Sequence, residues 1–417
     1  MSDTGHDQVE LLAPAGNFES LMAAIQGGAD AVYFGVGSLN MRASASRNFT
    51  ADELPEIKKR CREAGVRCYV TLNTVIYDED LSEMQDLIRE VKKSGIDAII
   101  ASDMAVILEA KRQEVDVHIS TQSNISNLES LRFYATYADV VVLARELSLE
   151  QVKSICHSVS KEQLSGPSGK PLRLEAFAHG ALCMAISGKC YLSLHQKNKS
   201  ANRGECMQLC RRGYTVIEKE DGYQLDIDNE YIMSPKDLST ITFLDQLLDA
   251  GIRVLKIEGR GRSPEYVKTV TTCYRQAVDA WKEGTFTKEK TRVWDEQLRT
   301  VFNRGFWEGY YMGRKAGEWS EKYGSHATHR KVYLAKGMNY YSKKGVAEFL
   351  METGSLNRGD NIIITGPTTG VMESEVLEIR VGLEPVNKAV KGEKFSIPVP
   401  GTIRRSDKLY KVVKIQG

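Results

Sequence analysis

Residues 10–34 read ELLAPAGNFESLMAAIQGGADAVYF, and this stretch indicates how the chain folds. It begins with a short apolar run, Glu10–Ala13, continues with a helical pattern, Asn17–Gln26, and ends with a second apolar run, Ala31–Phe34. Short apolar runs are typical of strands buried on both faces, and a helix between two of them is the crossover of a parallel sheet. The stretch therefore predicts a strand–helix–strand unit.

The same alternation continues along the chain. Six further apolar runs follow, at Cys68–Leu72, Ala98–Ala101, Val117–Ser120, Val140–Leu143, Leu172–Phe177 and Val254–Ile257. Helical patterns separate them, for example at Ala51–Ala64, Leu81–Ser94 and Leu147–Val159. Eight repeats of strand and helix favour a closed, TIM-like (β/α)8 barrel. The alternative is a doubly wound open sheet, but the glycine-rich phosphate turn expected after its first strand is absent from PAGNFES.

The pattern changes towards the end of the chain, where short strand-like runs alternate with turn signals. The runs are GMNYYS, RGDNIIITGPTTG, KGEKFSIPVPG and LYKVVKI. They predict a small all-β, barrel-like domain at residues 326–417, after a barrel domain at residues 1–325. Within the barrel domain we expect an inserted cysteine-rich segment at residues 179–214, a hairpin at 215–233, and a helix that opens at Ser234–Leu238.

Composition limits the partners and the location. The 417 residues include 56 lysines and arginines and 55 acids, so a nucleic-acid partner needs a local basic patch rather than an overall positive field. No apolar run approaches the roughly 20 residues that span a bilayer, and the polar amino terminus lacks an export signal. We expect a cytoplasmic protein with no membrane partner, whose thiols stay reduced.

Polar and charged residues follow most of the predicted strands. In a barrel of this type these positions line the catalytic mouth. They are occupied by Asn73, Ser102, Asp103, Thr121, Gln122, Arg145, Glu146, His179, Glu258 and Arg260, with Lys256 inside the last strand and Lys236 in the SPKDL run. Asp103 and Glu146 have an alternative role as caps of the helices that follow. The remainder predict an active site at the mouth.

Residues 177–214, FAHGALCMAISGKCYLSLHQKNKSANRGECMQLCRRGY, contain four of the eight cysteines: Cys183, Cys190, Cys206 and Cys210. Clustered thiolates repel one another, so a cation or covalent bonds must hold them together. Zinc sites favour paired C-x2-C units, which are absent here, whereas iron–sulfur clusters accept irregular spacing. The spacing favours a cluster, with a structural zinc and two disulfides as alternatives. We expect the other cysteines, Cys61, Cys68, Cys156 and Cys273, to be free and buried.

The same segment carries a family resemblance. The strings EAFAHGALCMAISGKCYLS and RGECMQLCRRGY, with ELLAPAG, GADAVYFG, YIMSPKDL and LKIEGR, resemble the collagenase-like peptidase family U32, whose catalytic type is unassigned. Within it the chain is most similar to members that hydroxylate tRNA. The resemblance implies that the four cysteines ligate a 4Fe–4S cluster. It also implies 5-hydroxyuridine synthesis at the wobble position of a tRNA anticodon loop, with prephenate replacing dioxygen as the oxygen donor.

This interpretation gives each group of residues a role. Guanidinium and ammonium groups suit a dicarboxylate, so Arg145, Lys256 and Arg260, with Asn73, Gln122 and Lys236, are the predicted substrate-binding residues. Proton transfer is assigned to the candidate acids and bases His179, Glu146 and Glu258. Phosphate contacts, or compensation of the cluster's charge, are assigned to Lys197, Lys199, Arg203, Arg211 and Arg212. An electron donor would be a further partner.

Three other functions have to be weighed against this one. A peptidase would typically show H-E-x-x-H or G-x-S-x-G, and neither is present. A Cys183–His179 pair could serve a cysteine protease, but it leaves the other three cysteines of the segment unexplained. Hydroxylation of a quinone precursor is implied by shorter family members that lack the β-domain. A non-catalytic RNA-binding protein is the third alternative.

Overall fold

The computed structural model describes residues 8–44, 48–217, 219–222, 224–225, 233–313, 318–320 and 324–415. We number strands and helices in chain order. The strands up to residue 307 are β1 (Glu10–Pro14), β2 (Ala31–Gly35), β3 (Arg67–Leu72), β4 (Ala98–Ala101), β5 (Val117–Ile119), β6 (Val140–Val142), β7 (Arg173–Ala181), β8 (Val216–Ile217), β9 (Gln224–Leu225), β10 (Asp237–Ser239), β11 (Val254–Ile257) and β12 (Phe306–Trp307).

The helices surround the first sheet. They are α1 (Phe18–Gln26), α2 (Leu54–Glu63), α3 (Leu81–Lys93), α4 (Met104–Arg112), α5 (Leu128–Ala135), α6 (Leu149–Lys161), α7 (Leu192–Lys197), α8 (Leu244–Ala250), α9 (Pro264–Lys282) and α10 (Lys288–Leu298). Short 3-10 turns lie at Ala51–Glu53, Asp78–Asp80, Thr121–Ser123, Ala201–Arg203 and Leu209–Arg211. No helix among the described ranges is long and apolar enough to cross a membrane.

Eight parallel strands close into a barrel. The order is β11-β1-β2-β3-β4-β5-β6-β7, and β11 also pairs with β7, which completes the ring. The TIM-like (β/α)8 prediction is confirmed, and the eight predicted runs are these eight strands. The barrel interior is filled by large side chains such as Leu12, Tyr69 and Ile100, while the outer faces of the strands pack against the helices.

The strand β7 is longer than the sequence predicts, and this changes the element that follows the cysteine-rich segment. Beyond Phe177 the chain stays extended to Ala181 and pairs antiparallel with β10, with Leu238 opposite Gly180. The prediction of a helix at Ser234–Leu238 is therefore wrong. Pro235 disfavours a helical conformation for Ser234, and the backbone of β10 is bonded to β7 instead.

Helix caps agree with the predictions in one case and not in the other. Asp103 precedes α4, and its side chain accepts a hydrogen bond from the Ala105 N–H, so its capping role is confirmed. The cap of α6 is Ser148, which leaves Glu146 outside the helix, so that alternative for Glu146 is wrong. Asn17 caps α1 in the same way as Asp103 caps α4.

The predicted hairpin at 215–233 is described in part. Strands β8 and β9 pair antiparallel, with Val216 opposite Leu225 and Ile217 opposite Gln224. Residues 218, 223 and 226–232 lie outside the described residues.

The last ninety residues form an antiparallel sheet, as an all-β prediction requires. Its strands, with two short neighbours, are β13 (His329–Tyr341), β14 (Val346–Met351), β15 (Ser355–Asn357), β16 (Asn361–Gly366), β17 (Gly370–Glu375), β18 (Ile379–Val381), β19 (Glu384–Val386), β20 (Lys388–Val390), β21 (Lys394–Pro398) and β22 (Lys408–Lys414). Eight of them form one sheet in the order β17-β16-β22-β13-β14-β21-β18-β19. One face holds its own core, and Ile363 and Val371 join the core of the barrel domain.

Candidate functional site

A cavity of about 290 Å³ opens where the barrel strands end. Its walls come from the residues at the carboxyl ends of the strands and from the cysteine-rich segment, including Tyr33, Asn73 and Phe177. In (β/α)8 barrels this face carries the active site. The geometry therefore agrees with the predicted location of the site.

The four cysteines of the segment, Cys183, Cys190, Cys206 and Cys210, all line this cavity. All eight cysteines are free thiols, and the other four are buried, as predicted. Burial raises the pKa of Cys210, Arg211 opposes that rise, and the charges of Cys183, Cys206 and Cys190 add to it. Within the described ranges, however, no three cysteine, histidine or carboxylate side chains are placed to hold a metal ion. The four thiols line one cavity, but among the described residues they do not form a metal-binding group.

Cationic groups favour the thiolate form of Cys183. The side chain is open to the cavity, yet the surrounding protein by itself would raise its pKa. The guanidinium groups of Arg145, Arg42 and Arg211 outweigh that effect, and the pKa is lowered. Because the thiolate is the form that ligates metals, this thiol is prepared for coordination.

Positive charge predominates along the cavity wall. The cations that line it are Arg42, Arg145, Arg211, Lys256, Arg260, Arg262 and Arg304. Glu258 is the only carboxylate among the lining residues that the structure describes. Two more carboxylates lie behind the wall: Glu175 pairs with Lys256, and Asp237 pairs with Arg262 and Arg304. Seven cations thus face three carboxylates, which suits a site for anions.

Glu258 is held by two side chains from the same end of the barrel. Arg42 donates to its Oε1 at 2.9 Å, and the Tyr33 hydroxyl lies 3.0 Å from its Oε2. Burial acts to raise the pKa of Glu258, but the positive charges of Arg42 and Arg260 outweigh burial. The pKa of Glu258 is therefore lowered. Glu258 is therefore an ionised carboxylate at the cavity wall.

Lys256 and Arg260 are buried cations on either side of Glu258. The Lys256 ammonium lies 2.7 Å from Glu175 Oε1, and burial raises the pKa of the Glu175 carboxyl. Glu175 Oε2 finds no hydrogen-bond partner among the described residues. Arg260 donates to neutral oxygens, Asn40 Oδ1 at 3.0 Å and Thr71 Oγ1 at 2.8 Å, and burial lowers its pKa to about 10. Among the described residues no carboxylate forms an ion pair with Arg260, although the charge of Glu258 acts to raise its pKa.

Of the remaining predicted substrate-binding residues, some line the cavity and one does not. Arg145 donates to Ser187 Oγ at 2.7 Å and lies over the Phe177 ring. Asn73 and Gln122 line the cavity, and within the part of the chain that the structure describes the buried Oε1 of Gln122 has no hydrogen-bond partner. Lys236 does not line the cavity, because it pairs with Glu318 at 3.0 Å.

Two of the three predicted proton-transfer residues lie away from the cavity. His179 is inside β7, only 2% exposed, and packs against Phe306 and Tyr274 instead of the thiols. The sequence suggested that it follows the strand, but β7 continues through it and turns its side chain towards α9. Glu146 is exposed and does not line the cavity. Glu258 alone has the predicted position.

The predicted phosphate-binding run divides into two groups. Arg203 pairs with Asp80 and lies over the Tyr77 ring, and Arg211 donates to Ser234 Oγ, Pro235 O and Leu182 O. Both guanidinium groups therefore hold the segment in place. Lys197, Lys199 and Arg212 are exposed, and Lys199 pairs with Glu205 at 2.6 Å.

Several lining residues were missed by sequence reasoning. Arg42 lies seven residues beyond the end of β2, further than the positions that the strand-end rule selected, so the rule did not reach it. Arg262 lies two residues beyond Arg260 and was within reach of the same rule. Arg304 follows α10, lines the cavity and pairs with Asp237, a position that no local signal predicts.

Known proteins resemble the chain over most of its length. Residues 16–321 match the model of peptidase family U32. A protein named collagenase from Porphyromonas gingivalis is 58% identical over 97% of this chain and 98% of its own length. The tRNA hydroxylation protein P1 of Bacillus subtilis is 32% identical over 86% of this chain and 83% of its own. The 23S rRNA 5-hydroxycytidine C2501 synthase of Escherichia coli is 38% identical over 66% of this chain and 40% of its own.

Proposed function

The chain belongs to peptidase family U32, and from this membership we propose that it is an enzyme that hydroxylates RNA. Relatives that share the barrel are named as tRNA hydroxylation proteins and as an rRNA hydroxycytidine synthase. The specific proposal is 5-hydroxylation of wobble uridine in tRNA, with prephenate as oxygen donor and a 4Fe–4S cluster as cofactor. The observation that carries it is a single cavity lined by four free thiols and seven cations.

The donor set fits a cluster. Cys183, Cys190, Cys206 and Cys210 would hold it, since their thiols are reduced, surround one cavity and lie beside cations that favour thiolates. When bound, the cluster would supply redox or Lewis-acid chemistry, and zinc would use the same thiolates in its place.

The charge balance supports an anionic co-substrate. Cations in a partly enclosed cavity are costly unless counter-charges accompany them. Arg145 donates to Ser187 Oγ and Arg260 donates to Asn40 Oδ1 and Thr71 Oγ1, and among the described residues neither guanidinium forms an ion pair with a carboxylate. A cluster held by four thiolates is an anion, and a dicarboxylate such as prephenate is another. Arg145, Arg260 and Lys256 would orient the dicarboxylate through charge-assisted hydrogen bonds.

Glu258 is the residue we propose for proton removal. Hydroxylation at C5 of a pyrimidine replaces a hydrogen, and the departing proton needs an acceptor. Glu258 is ionised, faces the cavity and is oriented by Arg42 and the Tyr33 hydroxyl. An electron donor would serve as a further partner if the cluster transfers electrons.

Peptidase activity is a second candidate because the 58% identical relative is named collagenase. A cysteine peptidase requires a thiolate beside a histidine. His179 is buried against Tyr274 and Phe306 and does not line the cavity that contains Cys183, so this pair is not assembled. If the purified protein degrades gelatin and a Cys183→Ala variant does not, this candidate would be favoured over RNA hydroxylation.

The decisive experiment is nucleoside analysis of bulk tRNA from a deletion strain in a host without a paralogue. We expect 5-hydroxyuridine and its derivatives to disappear and to return with the wild-type gene or with Cys156→Ala, whose thiol lies on α6 outside the cavity. Cys206→Ala should fail to restore them. Anaerobic iron and sulfide analysis of the same variants tests the cluster separately. Unchanged nucleosides with an altered quinone profile would favour the quinone alternative.

A further inference from the structure

The surface around the cavity entrance is rich in exposed apolar side chains. Five of them, Met184, Ile186, Tyr191, Leu194 and Met207, come from the cysteine-rich segment, and the Tyr191 side chain is 73% exposed. We call these five residues the entrance patch. Clustered exposed apolar residues on a soluble domain mark a binding surface more often than they occur by chance.

The backbone and the cavity lining hold the patch together. Met184 and Ile186 line the cavity themselves. Tyr191 and Met207 each follow a cysteine, Cys190 and Cys206, that also lines it. The Met207 N–H donates to Ser193 Oγ at 3.0 Å, which fixes the second half of the segment against α7. The patch therefore borders the opening through which a substrate reaches the thiols.

Unpaired positive charge accompanies the patch. Lys189, Lys197 and Arg212 are exposed on the same segment, and in the part of the chain that the structure describes no carboxylate pairs with them. The segment's acid, Glu205, is neutralised by Lys199. Protein–protein interfaces are depleted in lysine, whereas single-stranded nucleic acids bind grooves that combine cations with stacking platforms. The charge complements a polyanion with exposed bases.

We propose that the entrance patch binds the unpaired nucleotides of an RNA loop, with Tyr191 stacked on a base and with Lys197 and Arg212 on phosphates. The inference rests on the proposed function. To react in the cavity, the target base must leave its stack, and its neighbours then lose a stacking partner. An aromatic ring at the entrance replaces that partner. Arg203 and Arg211 are not part of this surface because they hold the segment itself.

Binding of a fluorescent anticodon stem–loop by the full-length protein tests the proposal. We expect Tyr191→Ala to raise the Kd at least about 5-fold, because base–aromatic stacking contributes of this order per base. Tyr191→Phe keeps the ring and should bind like the wild type. Tyr341→Ala, at an exposed tyrosine of the carboxy-terminal sheet, is the matched control and should have no effect. A duplex with the stem sequence but no loop should bind more weakly.

The phosphate contacts have a separate readout. In a Lys197→Ala/Arg212→Ala double variant, the slope of log K against log salt concentration should become shallower by about 1.4, since each contact to a single strand contributes about 0.7. Melting temperature and iron content should match the wild type in every variant, which separates loss of binding from loss of folding.

Three results would overturn the proposal. Equal affinities of Tyr191→Ala and wild type would remove the stacking role and leave RNA hydroxylation to be judged by the nucleoside analysis. Equal affinity for loop and duplex would remove the preference for unpaired nucleotides. A third result would assign the patch to a protein partner instead. In it, the entrance-patch variants bind RNA like the wild type but lose activity in assays that depend on a protein reductant.

Discussion

The buried pair Lys256–Glu175 is the residue-scale feature on which the cavity wall depends. Lys256 is 6% exposed and Glu175 is fully buried, and their charged atoms are 2.7 Å apart. Removing one member of a buried ion pair leaves the other charge without compensation. We therefore expect Glu175→Gln to lower the free energy of unfolding by about 3–5 kcal/mol, measured by denaturant titration.

Two comparisons control this prediction. Glu56→Gln removes an exposed partner of Arg60 on α2 and should cost less than about 1 kcal/mol. Glu175→Gln/Lys256→Met removes both charges and should recover much of the loss. If the single and double variants are equally unstable, the charge argument is wrong.

Two buried histidines make stability depend on pH. Burial lowers the pKa of His118 to about 3, against the opposing charge of Glu10, and lowers that of His179 to about 4. An unfolded histidine titrates near 6.5, so below that pH the unfolded chain binds protons that the folded chain does not. Stability should therefore fall as the pH drops from 6.5 to 5, by up to about 1.4 kcal/mol per pH unit for each histidine.

Denaturant titrations at pH 7, 6 and 5 check this sign and slope. His179→Phe should flatten the pH dependence by one histidine's share. His157→Gln, at an exposed position on α6, should leave it unchanged. A wild-type stability that rises on acidification through this range would contradict the prediction.

Single residues of the site were predictable where the strand-end rule applied. Cys183, Glu258, Arg260 and Asn73 all line the cavity, as their positions after strands suggested. His179 was misplaced because the rule requires the strand boundary, and β7 extends where the local sequence gives no sign of it. Lys236 was misplaced because the run predicted as a helix leads into the strand β10, and its side chain pairs with Glu318.

At the scale of elements, the barrel strands were predictable and β10 was not. Apolar runs between helical patterns identify parallel strands, because both faces of each strand are buried. β10 instead forms through pairing with β7, a segment more than fifty residues earlier, together with the ion pairs of Asp237. Local pattern carries no information about such a partner.

Gly180 shows how closely β7 approaches its neighbours. Its φ is +109°, and a Cβ placed there would lie 2.4 Å from the Glu258 carbonyl oxygen. Gly180→Ala combines backbone strain with a clash against the main chain. We therefore expect it to lower the free energy of unfolding by about 2–4 kcal/mol. Gly169→Ala meets a positive φ of +73° with open space around it and should cost about 1 kcal/mol. Thermal unfolding of the two variants measures the difference, and equal melting temperatures would rule out the close approach.

At the scale of the whole molecule, the carboxy-terminal sheet is docked on the barrel through α1 and α9. Gln26 Nε2 donates to Thr369 O at 2.8 Å, and Lys268 Nζ lies 3.1 Å from Val371 O. Val371 is 2% exposed and belongs to the barrel's core. The presence of two domains could be predicted from the change in pattern, but this docking joins residues 343 positions apart and could not.

We expect Val371→Asp to weaken the docking of the sheet, because a carboxylate would be buried there without a partner, at a cost of about 3–5 kcal/mol. Hydrogen exchange should then increase in β16, β17 and α1. Val390→Asp places the same group at an exposed position of the same domain and should leave exchange unchanged. Equal exchange in both variants would show that Val371 does not hold the domains together.

The pairing of Asp237 with Ala181 has a consequence for how this architecture diversifies. The chain leaves β7 at Ala181 and returns at Asp237, which is paired with Ala181. The two ends of the intervening segment are therefore held side by side. Outside its cavity-lining residues, this segment can change in length and composition without changing the pairing of β7 with β11 that closes the ring. Changes in this segment can therefore alter the cavity entrance while the barrel beneath it keeps its shape.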